Sequence, residues 1–195
     1  MTVYCATGNP GKLREFRLAA ESAGIQVETV PGLDAILPCE ETGATFEENA
    51  VLKARYYGAH APGLLFADDS GIEVDALGGA PGVYSARFAG PDATDADNNR
   101  LLIEKLRGVA NRTARFVCVI ALADRGGAVE TFRAAVEGLI LDEPRGPNGF
   151  GYDPLFYYPP FGCSFGEVEP ERKLTVSHRG AALRKLFDWL AKRRV

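Results

Sequence analysis

Hydrophobic and polar positions follow two alternating periods along the chain, and this alternation predicts strands and helices in turn. Apolar runs at 3–6 and 115–123 are short and bounded by polar residues, which predicts strands. Residues 11–24 and 95–107 carry apolar side chains at three- and four-residue spacings, which predicts helices, the first of them stopped by Gly24. The pattern continues from end to end and predicts an α/β fold with a mixed central sheet and flanking helices.

Two further helices are predicted from their starts. Thr45 can cap a helix that runs to about Ala59, and Glu48 stands where a T-x-x-E capping box needs it. The stretch 177–194 is predicted to form the last helix, with Ser177 as its cap and three basic residues at its end.

Two adjacent aspartates, Asp68 and Asp69, stand where an apolar run meets a serine and a glycine. The sequence predicts two strands, 64–67 and 71–76, joined by a turn at these residues. Neighbouring side chains of a strand point to opposite faces, so one aspartate is expected to face a cleft and the other to make structural contacts. Ligands of α/β sheets bind outside the carboxyl ends of strands, where this pair lies.

Glycine and proline are concentrated in two stretches, 78–93 and 143–154, which predict ordered loops. Between them, 115–123 and 128–140 flank the sequence DRGG, and this arrangement predicts a long antiparallel hairpin. The chain shows no internal repeat, so we expect one domain spanning residues 1–195.

Bulk composition narrows the classes of function. The chain has 195 residues, of which 46% are hydrophobic, enough for one substantial core. Its net charge of −4 argues against binding to duplex nucleic acid, which needs basic surface. No apolar run is long enough to cross a membrane, and the scattered cysteines show no zinc-ligand spacing, so we expect a cytoplasmic protein with reduced thiols.

The turn TGNPGK, from Thr7 to Lys12, is predicted to lead from a strand into a helix. Backbone N–H groups at a helix N-terminus attract anions, and Lys12 adds a full positive charge. Because Ala6 and Leu13 stand where a P-loop needs glycine and serine or threonine, the turn is not a P-loop. It is either an anion site or a plain strand-to-helix turn.

Lys53 is predicted to lie on the apolar face of the helix that begins after Thr45. The lysine either reaches out to solvent or meets a phosphate. Glu40 and Glu41 precede this helix and carry the oxygen ligands that a hard cation prefers, although alone they are two surface acids.

The second Gly/Pro loop carries two aromatic rings, Phe150 and Tyr152, and then Asp153. Such rings can stack on a nucleobase while the aspartate accepts from a ring N–H, or they can anchor the loop in the core. His178 and Arg179 begin the last helix, and donors there suit an acceptor oxygen or an anion.

Five blocks in this order, TGNPGK, ETGATFEENAVLKA, ADDSGIEVDALGGAPGVYSARFAG, GPNGFGYDP and SHRG, resemble the inosine/xanthosine triphosphate pyrophosphatase family. The resemblance implies an α/β fold with two lobes around a deep nucleotide-binding cleft, a homodimer and dependence on Mg²⁺. It also implies hydrolysis of deaminated purine nucleoside triphosphates (ITP, XTP and their deoxy forms) to the monophosphate and pyrophosphate.

Site roles follow from the same resemblance. Asp69 would be the general base and a metal ligand, with Glu41 as the other metal ligand and Glu40 as its alternative. The residues that would bind substrate are Thr7, Gly8, Asn9, Pro10, Gly11, Lys12, Lys53, Ser70, Phe150, Gly151, Tyr152, Asp153, Lys173, His178 and Arg179. Two other functions remain open: a nucleotide phosphatase that releases orthophosphate, and a nucleotide-binding protein without catalysis.

Overall fold

The computed structural model describes residues 1–193, with the backbone alone at position 129. Within these residues seven strands form a sheet in the order β2-β1-β3-β4-β5-β6-β7. Their bounds are β1 Thr2–Cys5, β2 Gln26–Thr29, β3 Leu65–Val74, β4 Thr113–Asp124, β5 Gly127–Ile140, β6 Phe156–Tyr158 and β7 Cys163–Ser164. Strand β1 pairs in parallel with β2 and β3, whereas β6 pairs antiparallel with β5 and β7. The sheet is therefore mixed, which confirms the predicted α/β class.

The helices are α1 Pro10–Ser22, α2 Phe46–Gly58, α3 Asp95–Lys105, α4 Pro170–Val176 and α5 His178–Lys192. The predicted cap of α2 is confirmed, because the Thr45 hydroxyl accepts from Glu48 N at 3.2 Å. The prediction of a capping box is wrong, because the Glu48 carboxylate accepts from Ala44 N and not from Thr45 N. The predicted end of the last helix at 194 lies outside the described residues. No described helix is both long enough and apolar enough to span a membrane.

The prediction of a turn at residues 68–70 is wrong, because β3 runs without a break from Leu65 to Val74. Aspartate and serine favour turns when their side chains bond the local backbone. Here Asp68 and Asp69 instead meet lysines that are distant in sequence. Gly71 allows Ser85 to pack closely against the strand, since a Cβ at residue 71 would lie 2.3 Å from Ser85 Oγ.

The predicted hairpin is present, with Arg125 and Gly126 as the two residues between β4 and β5. Both have positive φ, 48° and 83°, as the tightest hairpin turns require. Since a two-residue connection can join only antiparallel neighbours, β4 and β5 run in opposite directions.

The chain divides into two compact units. Unit 1 comprises Met1–Asp69, Cys118–Ala134 and the described chain from Arg179 onward; unit 2 comprises Ser70–Val117 and Ala135–His178. Each unit has its own apolar core. In unit 1 the rings of Phe16 and Phe66 meet edge to face with centroids 5.0 Å apart. In unit 2 the residues that share the core include Ile72, Leu102, Leu106, Phe116, Phe156 and Phe165.

Candidate functional site

Asp68 lies at the centre of a buried charge group in unit 1. Lys12 Nζ is 3.0 Å from its carboxylate, and Arg179 Nε is 3.5 Å from the same group. Arg179 also donates to Glu15 at 2.5 Å. Burial alone would raise the pKa of Asp68, but the positive charges of Lys12 and Arg179 outweigh it and hold this pKa well below 3.8. Asp68 is therefore ionised at neutral pH and fully engaged by cations.

Asp69 has different partners, all in unit 1. Lys53 Nζ donates to its Oδ1 at 2.9 Å, and Asn49 donates to its Oδ2 at 3.3 Å. Burial, with a contribution from nearby Glu41, raises the pKa of Asp69 above 3.8 although Lys53 opposes the shift. The two adjacent aspartates thus face separate groups, as strand alternation predicts. A carboxylate with a raised pKa is the better proton acceptor of the two.

Glu41 joins Asp69 through a shared partner, because Lys53 Nζ lies 3.3 Å from Glu41 Oε1. Glu41 is partly buried and Glu40 is exposed. Two carboxylates around one ammonium group form a place that accepts positive charge. Among the described residues no group of three or more His, Cys, Asp and Glu could hold a metal ion by itself. A pair of carboxylates still fits Mg²⁺, which commonly binds one or two protein carboxylates together with substrate phosphates and water.

The turn from Thr7 to Lys12 places open backbone at the start of α1. Asn9 caps the helix by accepting from Lys12 N at 3.1 Å, and the Thr7 hydroxyl accepts from Asn9 N. Gly8 and Pro10 are exposed, and nothing lies within 4 Å of a Cβ built on Gly8. The turn therefore offers an accessible helix N-terminus beside the Lys12 ammonium group.

In unit 2 the second Gly/Pro loop is fixed by a buried ion pair. Asp153 Oδ2 accepts from Lys173 Nζ at 2.5 Å and from Phe150 N at 2.9 Å. Both charged side chains are at least 97% buried. Lys173 Nζ also lies 4.9 Å from the centroid of the Phe150 ring, within cation–π range. The pair thus anchors Phe150 through its backbone and its ring.

Tyr152 and His178 are buried in unit 2. The Tyr152 hydroxyl donates to Ser85 O at 2.8 Å, so this ring anchors the loop rather than offering an exposed face. The His178 ring stacks on Phe116 with centroids 4.7 Å apart and planes at 11°. Ser70, the first residue of the unit, is partly buried and follows Asp69 directly.

Glu15 and Asn49 contact the candidate residues but were not predicted to do so. Glu15 is a buried acid on α1 that pairs with Arg179, and its neighbour Phe16 belongs to the core. A charged residue at a core-facing helix position signals a buried partner. Asn49 is fully buried on α2 and also accepts from Gly43 N at 2.7 Å.

The fold of this chain is shared with a protein of known structure. The chain superimposes on a HAM1 protein from Coxiella burnetii with a TM-score of 0.87 and 38% identity, covering 98% of this chain and 99% of the other. The sequence matches the model of the Ham1 family over residues 3–189, and the chain belongs to that family.

Several curated relatives share about half of their residues with this chain. A protein from an Exiguobacterium species is 52% identical over 186 residues, covering 95% of both chains, and a protein from Thermus thermophilus is 51% identical over 191 residues, covering 96% of this chain and 91% of its own. Both are named dITP/XTP pyrophosphatase.

Proposed function

We propose that this protein hydrolyses non-standard purine nucleoside triphosphates, namely ITP, XTP and their deoxy forms, to the monophosphate and pyrophosphate. Such a reaction removes deaminated purines from the nucleotide pool. The observation that carries the proposal is Asp69, a buried carboxylate that contacts Lys53 and has a raised pKa. Its neighbour on the same strand, Asp68, is ionised, and its charge is balanced by Lys12. The names of the relatives supply the substrate class.

Asp69 is the proposed general base. It takes a proton from water as the water oxygen attacks the α-phosphorus. The bond from this phosphorus to the bridging oxygen breaks, and pyrophosphate leaves. Lys12, Lys53, Ser70 and the N–H groups of the turn from Thr7 are proposed to bind the phosphates and to stabilise the charge that develops on them.

Mg²⁺ is the proposed cofactor, with Asp69 and Glu41 as its protein ligands and exposed Glu40 as the alternative to Glu41. When bound, the ion neutralises phosphate oxygens and orients the phosphate chain. The contacts of the Lys53 ammonium group with these two carboxylates, at 2.9 and 3.3 Å, support the proposal that the pair binds positive charge.

Recognition of the base and sugar is assigned to the residues that the family resemblance indicates. They are Phe150, Gly151, Asp153, Lys173, His178 and Arg179, with Tyr152 contributing as the buried anchor of the loop. Hypoxanthine and xanthine carry an acceptor oxygen at position 6, where adenine carries a donor amine. Donors such as His178 and Arg179 would therefore accept the first two bases and reject adenine, a mismatch that can be worth about 10⁴-fold in specificity. We also propose that the protein works as a homodimer.

The products of ITP hydrolysis test the proposal against its alternatives. With Mg²⁺ we expect inosine monophosphate and pyrophosphate in equal amounts. Orthophosphate as the first product would indicate a phosphatase, and intact bound nucleotide would indicate a binding protein. Asp69→Asn is expected to lose nearly all activity and to keep its fold, because Lys53 retains Glu41 as a partner. Full activity in this variant would exclude Asp69 as the base.

A further inference from the structure

Both backbone polar groups of Gly151 are bonded to one helix. Gly151 N donates to Asp95 Oδ2 at 2.7 Å, and Asn99 Nδ2 donates to Gly151 O at 2.9 Å. Asp95 and Asn99 are four residues apart on α3, so they lie on the same face of the helix. Gly151 has a φ of 60°, a conformation that other residues rarely adopt. The structure therefore fixes an unusual backbone geometry with two side chains.

The neighbouring residue, Phe150, is held from its other end. Its N–H donates to Asp153 Oδ2, and Lys173 lies against its ring. The backbone from Phe150 to Gly151 is thus bonded to the Asp153–Lys173 ion pair on one side and to α3 on the other. Because ring direction follows backbone geometry, the bonds to α3 help to determine where the Phe150 ring faces.

A cavity of about 630 Å³ lies where α3 meets this loop. Asp95, Asn99, Phe150 and Gly151 all line it. Space beside the loop means that packing alone does not hold it there, since close-packed neighbours would be needed to block its movement. The hydrogen bond that Asp95 accepts and the one that Asn99 donates restrain the loop on that side.

Asn99 is a buried polar residue whose side-chain amide donates from Nδ2 to Gly151 O at 2.9 Å. An apolar residue of similar volume would fit the same place but would lose this bond. The amide is therefore best explained by the bond that it donates to the loop.

We propose that Asp95 and Asn99 are positioning residues that fix the Phe150 ring for stacking on the base. This inference rests on the proposed function, in which Phe150 binds the base. The pair acts through Gly151 and touches no reacting atom. Its loss weakens binding of the nucleoside end of the substrate and leaves the chemical step at the phosphates nearly unchanged.

Three variants test the inference: Asp95→Ala, Asn99→Leu and the isosteric Asn99→Asp. Glu104→Gln is the control. Glu104 lines the same cavity on α3, whereas the two bonds of Gly151 are with Asp95 and Asn99. We expect each test variant to raise KM for ITP about tenfold with kcat within about twofold of wild type. The dissociation constant of inosine monophosphate should rise similarly, that of pyrophosphate should not change, and the control should match wild type.

Two more variants separate positioning from damage to the fold. Asp95→Asn keeps an oxygen that can accept from Gly151 N. Its KM for ITP should therefore lie close to the wild-type value, unlike that of Asp95→Ala. The double variant Asp95→Ala/Asn99→Leu should raise KM by less than the product of the single effects, because both side chains hold one residue. A fall in kcat at unchanged KM, or unchanged affinity for inosine monophosphate, overturns the inference. Neither result bears on the proposed function, which fails only if the wild-type protein does not form monophosphate and pyrophosphate.

Discussion

Lys53→Met removes the ammonium group and keeps a side chain that reaches as far as Cε, so it tests the electrostatic account of the site. Lys53 contacts Asp69 at 2.9 Å and Glu41 at 3.3 Å. Loss of one partner of a buried ion pair costs about 3–5 kcal/mol of stability. We expect the lower end, about 3 kcal/mol at pH 7, because Asn49 still donates to Asp69 and the Glu41 side chain is 29% exposed to water. The melting temperature should fall by about 6–12 °C.

The loss in Lys53→Met should depend on pH with a definite sign. The cost arises from ionised Asp69, whose pKa is already raised by burial and should rise further without the lysine. This cost grows as pH rises above the ordinary pKa of 3.8 and disappears below that value, where Asp69 is protonated in both the folded and the unfolded state.

Urea unfolding of wild type, Lys53→Met and Lys53→Met/Asp69→Asn between pH 4 and 8 measures this effect. The double variant should recover most of the lost stability, because no buried charge remains unpaired. Lys192→Met, which removes an exposed lysine of α5, is the control and should stay within about 0.5 kcal/mol of wild type. A loss in Lys53→Met that is below about 0.5 kcal/mol, or that is equal at both ends of the pH range, would refute the reasoning.

Two further predictions concern the acids. In metal-free protein, carboxyl ¹³C titration should place the pKa of Asp68 below 3.8 and the pKa of Asp69 above it. The stabilisation that Asp68 gains from Lys12 is then present above pH 3.8 and is lost only in stronger acid. The reverse order of the two pKa values would contradict the contacts. Glu41→Gln should raise the Mg²⁺ concentration needed for half-maximal rate about tenfold, whereas the exposed neighbour variant Glu40→Gln should not; equal behaviour of the two would remove Glu41 from the metal site.

Local patterns in the sequence were sufficient for most of the fold. Helix α1, the Thr45 cap and the hairpin of β4 and β5 depend on residues close in the chain, so periodicity and turn chemistry predict them. The turn at Asp68 was predicted for the same local reasons and was wrong. Strand β3 lies between β1 and β4 in the sheet, and its aspartates pair with lysines on α1 and α2; both are contacts between residues distant in the chain, which only tertiary structure reveals.

The candidate site was predictable as a set of residue types but not as a set of contacts. Alternation along a strand correctly separated Asp68 from Asp69. It gave no means of telling which lysine each would meet, since that depends on how the helices pack. Tyr152 illustrates the same limit: the sequence allowed either an exposed ring or a core anchor, and burial of the ring decides for the anchor.

The continuity of β3 makes strand register a functional variable. Asp68 and Asp69 differ by one position, yet the pKa of Asp68 is lowered below 3.8 by its cationic partners and the pKa of Asp69 is raised above 3.8 by burial. Inserting a single residue upstream in β3 would move Asp68 into the position that Asp69 now holds, and deleting one would move Ser70 there, because each one-residue shift turns every later side chain to the opposite face. Length changes in this strand should therefore abolish turnover far more often than substitutions that preserve its spacing.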